Sequence, residues 1–123
     1  MAKAMYVRFE MSKEMMDKTA EILEVARETG KVRKGTNEVT KLIERGDALF
    51  VVMAEDVQPE EILAHIPLLC EEKNVPYAYL SSKADLGARV GLDKPTASAA
   101  VVDLGKAKEL FEGLIGDLKA LKG

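Results

Sequence analysis

The sequence has 123 residues, enough for one domain with a buried core but not for two. Its composition, 47% hydrophobic and 32% charged, is typical of a globular protein, and no apolar run approaches the roughly 18 residues of a membrane-spanning helix. The net charge of −3 does not indicate general nucleic-acid binding. The single cysteine, Cys70, excludes an internal disulfide, and the start lacks a signal-peptide pattern. We expect one soluble, cytoplasmic domain over residues 1–123.

The first predicted element is a long amphipathic helix. Before it, residues 1–11 form a lead segment with three side chains predicted to pack on the body: Tyr6, Val7 and Phe9. Ser12 is a candidate N-cap, and the helix runs to about Thr29, where Gly30 ends it. Its apolar residues recur at helical spacing and are predicted to be buried: Met15, Met16, Ala20, Ile22, Leu23 and Ala26.

The next stretch, KVRKGTNEVTKLIER at residues 31–45, carries most of the functional information. A strand-like segment, Val32–Lys34, leads into Gly35, and Thr36 is a candidate N-cap of a short helix that Gly46 ends. Gly35 lets the backbone approach a ligand closely, and the free N–H groups of the helix start favour an anion. One helix face is apolar: Val39, Leu42 and Ile43.

The opposite face of this short helix is polar. Asn37, Lys41 and Arg45 follow one another at spacings of four, with Glu38 beside them, so four polar groups are predicted to project together from one helix start. A carboxylate is a poor phosphate ligand but suits a guanine edge, where N–H donors lie beside the O6 acceptor. Glu38 and Lys41 supply the matching acceptor and donor, and the neighbouring bases suit flanking phosphates: Arg33, Lys34 and Arg45.

A simpler interpretation of the same residues stays open. Glu38 and Lys41 are three residues apart and suit a weak ion pair on a solvated surface helix. The distribution of charge favours a binding role, since residues 27–45 hold six basic and three acidic side chains within an acidic chain. Such a basic patch binds RNA locally while the acidic body repels non-specific contact.

The rest of the sequence alternates strands and helices. Ala48–Ala54 is a continuous apolar run, as in a central strand covered on both faces. After it we predict a polar loop at 55–58, a helix starting at Pro59, and a second helix started or kinked by Pro67 and reaching about Lys73. A strand at Tyr77–Leu80 follows, and then a helix opened by Ser82 with Asp85 and closed by Gly91. The last predicted elements are a loop at 92–96, a strand at Ser98–Val102 and an amphipathic helix at Lys106–Leu121. Strands separated by helices predict a three-layer α/β/α sandwich with a mixed, largely parallel four-stranded sheet.

No catalytic constellation is visible in the sequence. The phosphate-loop and dinucleotide-binding glycine motifs are absent, and the only histidine, His65, together with Cys70 does not make a metal site. Serines at 81, 82 and 98 have no visible base and orienting partner. We predict no cofactor and no catalysis, and the remaining enzyme hypothesis is a small hydrolase or transferase that uses Glu55 and Asp56 with Lys83.

Several long motifs, in order, resemble an archaeal ribosomal protein of the L7Ae family, which binds kink-turn RNA. They are RKGTNEVTK at 33–41, VVMAEDVQPEEILAHIPLLCEEKNVPYAYL at 51–80, SKADLGARVG at 82–91 and the loop containing Pro95. The resemblance covers roughly residues 6–121 and implies an α/β/α sandwich. The RNA target of the family bends sharply at tandem sheared G·A pairs.

The resemblance also implies which residues contact RNA. Asn37, Glu38 and Lys41 would contact the sheared guanines, with Gly35 and Thr36 forming the helix start. Arg33 and Lys34 would face the RNA backbone, and Arg45 would brace the helix or touch phosphate. A second cluster would hold a flipped-out nucleotide: Gln58, Ile62, Lys83, Leu92, Asp93, Lys94 and Pro95. Relatives often carry an acid in place of Gln58 and a more apolar 92–95 loop, so Lys94 is predicted to contact phosphate here.

The role implied by the resemblance is binding and assembly. Such proteins are components of the large ribosomal subunit, nucleate box C/D and box H/ACA guide-RNA particles, and belong to archaeal ribonuclease P. We therefore expect rRNA, guide RNA and ribonuclease P RNA as partners, with the other proteins of those particles, and a monomer when free. The alternative is a regulatory module of the same fold that binds proteins and not RNA.

Overall fold

A computed structural model of the chain describes residues 5–122. Its helices are α1 (Lys13–Thr29), α2 (Thr36–Arg45), α3 (His65–Glu72), α4 (Lys83–Arg89) and α5 (Lys108–Lys122), and its strands are β1 (Lys31–Lys34), β2 (Phe50–Ala54), β3 (Tyr77–Leu80) and β4 (Ser98–Asp103). Short 3₁₀ helices occupy Glu60–Ile62 and Gly105–Ala107. Within the described residues, no helix is long and apolar enough to cross a membrane.

The four strands form one mixed sheet in the order β1-β4-β2-β3. β2 and β3 are parallel, while β4 runs antiparallel to both β1 and β2. The predicted α/β fold with a mixed four-stranded sheet is confirmed, but the sheet is less parallel than expected. Three strands share one direction, and β4 is inserted between two of them in reverse.

The reversal of β4 follows from the path of the loop before it. After α4 the chain turns back along the helix: Leu92 donates its N–H to the carbonyl of Gly87 (2.8 Å), and Thr96 donates to the carbonyl of Lys83 (3.1 Å). β4 therefore starts at the end of the sheet where β3 finished. Gly87 permits this close return, because a Cβ there would lie 2.1 Å from the carbonyl oxygen of Lys94.

The helices form two groups that flank the sheet. α1 packs against α4 and α5, and α2 packs against α3. Every residue of β2 and β3 is buried, as their apolar sequences require. Aromatic rings extend the core at both sides, with centroids 5.1 Å apart for Phe9 and Tyr79 and 5.4 Å apart for Phe50 and Phe111. The lead segment packs as predicted, since Tyr6 is buried and Val7 and Phe9 are partly buried against the core.

Most predicted helix ends are confirmed. Ser12 caps α1, accepting a hydrogen bond from the Met15 N–H (3.1 Å), and Ser82 caps α4 in the same way through Asp85 (3.0 Å). Pro59 precedes a 3₁₀ helix and not an α-helix, and Pro67 lies inside α3, which already begins at His65. The first turn of an α-helix tolerates proline because its N–H groups have no partner within the helix.

Candidate nucleic-acid interface

The topology brings the candidate residues to one end of the sheet, which we call the loop end. It consists of the carboxyl ends of β1, β2 and β3 and the amino end of β4. Ser98, the first residue of β4, pairs with Met53 near the end of β2, and Lys34 pairs with Ala99. The Glu55 N–H donates to the carbonyl of Leu80, which joins the ends of β2 and β3 (3.0 Å). Loops that are distant in sequence therefore meet there.

The start of α2 differs in one detail from the sequence prediction. Gly35, not Thr36, is the N-cap, and it adopts a positive φ of 96° that favours glycine. Thr36 is the first helical residue, and its hydroxyl lies 3.1 Å from the hydroxyl of Ser98 instead of capping the helix. A Cβ on Gly35 would meet nothing within 4 Å, so its backbone is open to a ligand.

The predicted faces of α2 are confirmed. Val39, Leu42 and Ile43 are buried, while Asn37, Glu38 and Lys41 are exposed. Across residues 5–122, the Glu38–Lys41 ion pair of the simpler interpretation is not formed. The face therefore presents an amide, a carboxylate and an ammonium that are free to contact a ligand.

The basic residues of the stretch do not form one patch. Arg33 and Lys34 are exposed on the edge strand β1 near the loop end. Arg45 is the last residue of α2 and lies about 12 Å along the helix axis from Asn37, because each residue advances the helix by about 1.5 Å. The prediction that it projects from the helix start is therefore wrong. Arg27 lies on a different helix, in the last turn of α1, where its side chain lies against Gly91.

The second predicted cluster is assembled from three loops at the loop end. Asp56 follows β2 and accepts a hydrogen bond from the Lys83 N–H at 2.7 Å, which joins the segment containing Gln58 to the start of α4. Thr96 joins the 92–95 loop to the Lys83 carbonyl. The side chains that result are exposed: Gln58, Ile62, Lys83, Asp93, Lys94 and Pro95. Leu92 is partly buried and packs against the core, so it forms the apolar element of the cluster.

Residues 17–111 match the Ribosomal protein L7Ae/L30e/S12e/Gadd45 family. The chain belongs to this family. The matched range includes every residue of both clusters, so the family pattern extends over the loop end as well as the core.

A solved structure agrees with this family assignment. The fold is similar to that of the Giardia lamblia 15.5kD RNA binding protein, with a TM-score of 0.87 and 29% sequence identity. The similarity covers 95% of this chain and 97% of the Giardia chain. The α/β sandwich of this L7Ae/L30e/S12e/Gadd45 family member is therefore matched over nearly its whole length.

Several residues at the loop end form hydrogen bonds that the sequence did not predict. The sequence places Asp56 in a polar loop, as a candidate catalytic acid, and Ser98 at the start of a strand. In the structure each takes part in a hydrogen bond between segments of the loop end. Tyr6 was expected only to pack, but its hydroxyl donates to the Ala54 carbonyl (2.6 Å) and accepts from the Val57 N–H (3.0 Å). Burial raises the pKa of Tyr6, which keeps this donor protonated. A polar residue inside an apolar run was the available signal for Ser98.

Two side chains weighed as metal-binding or catalytic candidates, His65 and Asp56, form hydrogen bonds within the protein. His65 contacts the Thr40 hydroxyl through Nε2 at 2.9 Å, linking α3 to α2. Asp56 accepts a hydrogen bond from the backbone N–H of Lys83 at the start of α4, a position that favours a carboxylate. Over residues 5–122, no group of three or more histidine, cysteine, aspartate or glutamate side chains is placed to hold a metal ion.

Proposed function

We propose that this protein binds RNA and recognises kink-turns, in which tandem sheared G·A pairs bend a helix at an internal loop. Membership of a ribosomal protein family supports the proposal, as does the similarity to a protein named as RNA binding. The observation that carries it is the start of α2, where an exposed carboxylate, Glu38, lies beside the donors Asn37 and Lys41.

The chemistry of this trio suits a guanine edge better than a phosphate. Glu38 accepts from guanine N–H groups, and Lys41 donates to O6. Asn37 both donates and accepts, so it completes contacts to a neighbouring sheared base. A site for phosphate alone would not place a carboxylate beside the N-terminus of α2, where the backbone N–H groups already favour an anion.

The remaining residues of the two clusters contact other parts of the RNA. Arg33 and Lys34 contact phosphates on one side of the bend, and Arg45 reaches phosphates farther along α2. A flipped-out nucleotide lies against the partly buried Leu92, with Gln58 and Lys83 as polar partners. Ile62, Asp93, Lys94 and Pro95 complete this cluster, in which Lys94 contacts phosphate.

The mechanism is a population shift and not catalysis. A free kink-turn samples bent and extended forms, and a protein that contacts only the bent form shifts the RNA toward it. The bent RNA then presents its stems for assembly. We place the protein, as an archaeal-type member, in the cytoplasm with the large ribosomal subunit, the box C/D and box H/ACA particles and ribonuclease P, as a monomer when free and without a cofactor.

A binding titration tests this proposal. The probes are a kink-turn RNA and the same RNA with its sheared G·A pairs replaced by Watson–Crick pairs. We expect tight binding to the first and loss of at least tenfold in affinity for the second, since several base contacts disappear and each mismatch typically costs about 1–3 kcal/mol. Equal, weak binding to both RNAs would contradict the proposal and favour the protein-binding regulatory module.

A further inference from the structure

A continuous series of hydrogen bonds runs beneath the two clusters of the loop end. Its central residue is Ser98, the first residue of β4. The Ser98 carbonyl accepts from the Gly35 N–H (3.1 Å) and from the Thr96 hydroxyl (3.3 Å), while its side-chain hydroxyl lies 3.1 Å from that of Thr36. One residue therefore contacts both the start of α2 and the end of the 92–96 loop.

The series continues from Thr96 to the other loops. The Thr96 N–H donates to the carbonyl of Lys83, and the Lys83 N–H donates to Asp56. The segment that carries Asp56 is held in turn by Tyr6, whose hydroxyl joins Ala54 to Val57. These contacts connect the guanine-reading trio on α2 to the residues proposed to hold the flipped nucleotide.

Burial separates Ser98 from the surface that contacts RNA. Its side chain is 0% exposed, so it has no access to a ligand. Apart from the tyrosines, the buried polar side chains in the described part of the chain are Thr19, Thr96 and Ser98, and the Thr19 hydroxyl bonds within its own helix, to the Met15 carbonyl. The next two residues of the strand, Ala99 and Ala100, are equally buried and carry no hydroxyl, so burial alone does not account for a serine at this position.

We propose that Ser98 is a positioning residue that fixes the start of α2 relative to the 92–95 loop, so that the two clusters bind one RNA together. This inference rests on the proposed function. A rigid connection matters because each cluster then contacts its part of the RNA without further ordering, which makes the two sets of contacts mutually reinforcing. Ser98 thereby couples the reading of the sheared pairs to the reading of the flipped nucleotide.

The test is a thermodynamic cycle between Ser98→Ala and the RNA. Affinity is measured for a kink-turn RNA and for the same RNA with an abasic site at the flipped position. In the wild-type protein we expect the abasic site to lower affinity about tenfold, within the range of a stacked base contact. In Ser98→Ala we expect the same change to cost only about two- to threefold, a coupling typical of groups in one hydrogen-bond network.

Two controls separate positioning from general loss of stability. Thr19→Val removes a buried hydroxyl that bonds within α1 and takes no part in the hydrogen-bond series, and it should leave the effect of the abasic site at the wild-type value. Thr36→Val should reproduce the effect of Ser98→Ala, and Thr36→Ser, which keeps the hydroxyl, should restore the wild-type pattern. Thermal unfolding confirms that each variant is folded at the assay temperature.

The outcomes for this inference and for the proposed function are distinct. If Ser98→Ala lowers affinity for both RNAs by the same factor, or for neither, Ser98 does not couple the clusters, and the proposed function stands. If the wild-type protein itself does not prefer the kink-turn over its Watson–Crick counterpart, the proposed function fails. If Thr19→Val behaves like Ser98→Ala, the effect is one of stability and the inference is overturned.

Discussion

The charged side chains of this protein are used differently in two regions. In the layer of α1, α4 and α5 they pair with one another: Lys18 lies 2.9 Å from Asp117, and Arg89 lies 3.2 Å from Asp85 and 3.3 Å from Glu24. On α2, Glu38 and Lys41 are exposed and take part in no ion pair with any residue that the structure describes.

The difference shows why net charge is a poor guide to function here. The −3 total counts paired and unpaired charges alike, so it does not distinguish the ion pairs of α1, α4 and α5 from the exposed Glu38 and Lys41. Pairs on a solvated surface contribute little to stability, so the paired layer is held mainly by its apolar contacts. The charges of Glu38 and Lys41 form no ion pair that holds the fold together, so they remain available for the proposed recognition.

The largest effect is expected at Gly87, where α4 meets the 92–95 loop. Gly87→Ala places a Cβ against the Lys94 carbonyl and should destabilise the fold by about 1–3 kcal/mol, as overpacking does. Urea unfolding measures this change. The matched control is Gly116→Ala in α5, where a Cβ meets nothing within 4 Å, and it should stabilise the protein by up to about 1 kcal/mol. Equal effects of the two substitutions would show that the loop does not pack on α4.

Glu38→Ala tests the unpaired face directly. The variant should lose about 1–3 kcal/mol of kink-turn binding, as for a base-reading contact, with no change in melting temperature. Isothermal titration and thermal unfolding of the same sample provide both values. A loss of stability without loss of binding would assign Glu38 to the fold and not to the RNA.

Alkaline pH tests the buried tyrosines of β3 instead. Burial raises the pKa of both Tyr77 and Tyr79, and a hydrogen bond from Tyr77 to Glu71 adds to the first shift. The unfolded chain releases these protons near pH 10, whereas the folded chain retains them. Stability is therefore fully present below about pH 10 and should fall as the pH rises above it, by about 1.4 kcal/mol per unit for each tyrosine. Chemical unfolding between pH 8 and 11 measures the fall, and Tyr77→Phe should reduce its slope.

Lys34→Ala should have a smaller and less selective effect than Glu38→Ala. Because a phosphate contact carries no sequence information, affinity for kinked and plain duplex RNA should fall by similar factors. The slope of log affinity against log salt should decrease by about one. A loss confined to kinked RNA would instead make Lys34 a base-reading residue.

The smallest effect is expected from the paired layer. Arg89→Met removes both ion pairs of Arg89 while keeping much of its apolar stem, and it should cost no more than about 1 kcal/mol of stability because the side chain is partly exposed. Kink-turn affinity should be unchanged. Reduced affinity would mean that the two regions are not independent.

Local features of the fold were predictable where a short segment contains its own signal. Ser12 and Ser82 are predictable as caps because serine before a helical pattern favours the capping position, and in the structure each hydroxyl accepts from an N–H three residues ahead. Thr36 has the same side-chain chemistry and was predicted wrongly. Gly35 follows β1 with a positive φ and is itself the N-cap of α2. The Thr36 hydroxyl therefore contacts Ser98, which is 62 residues away.

The sequence by itself determined the elements, the buried face of α2, and the polar residues that its other face exposes, because helical and strand periodicities are local properties. Only the tertiary structure decided the direction of β4 and the hydrogen bonds that connect the two clusters. These depend on which segments meet after the chain turns back along α4 at Gly87. Contacts between residues far apart in sequence are set by the packing of the whole chain, and no short stretch encodes them.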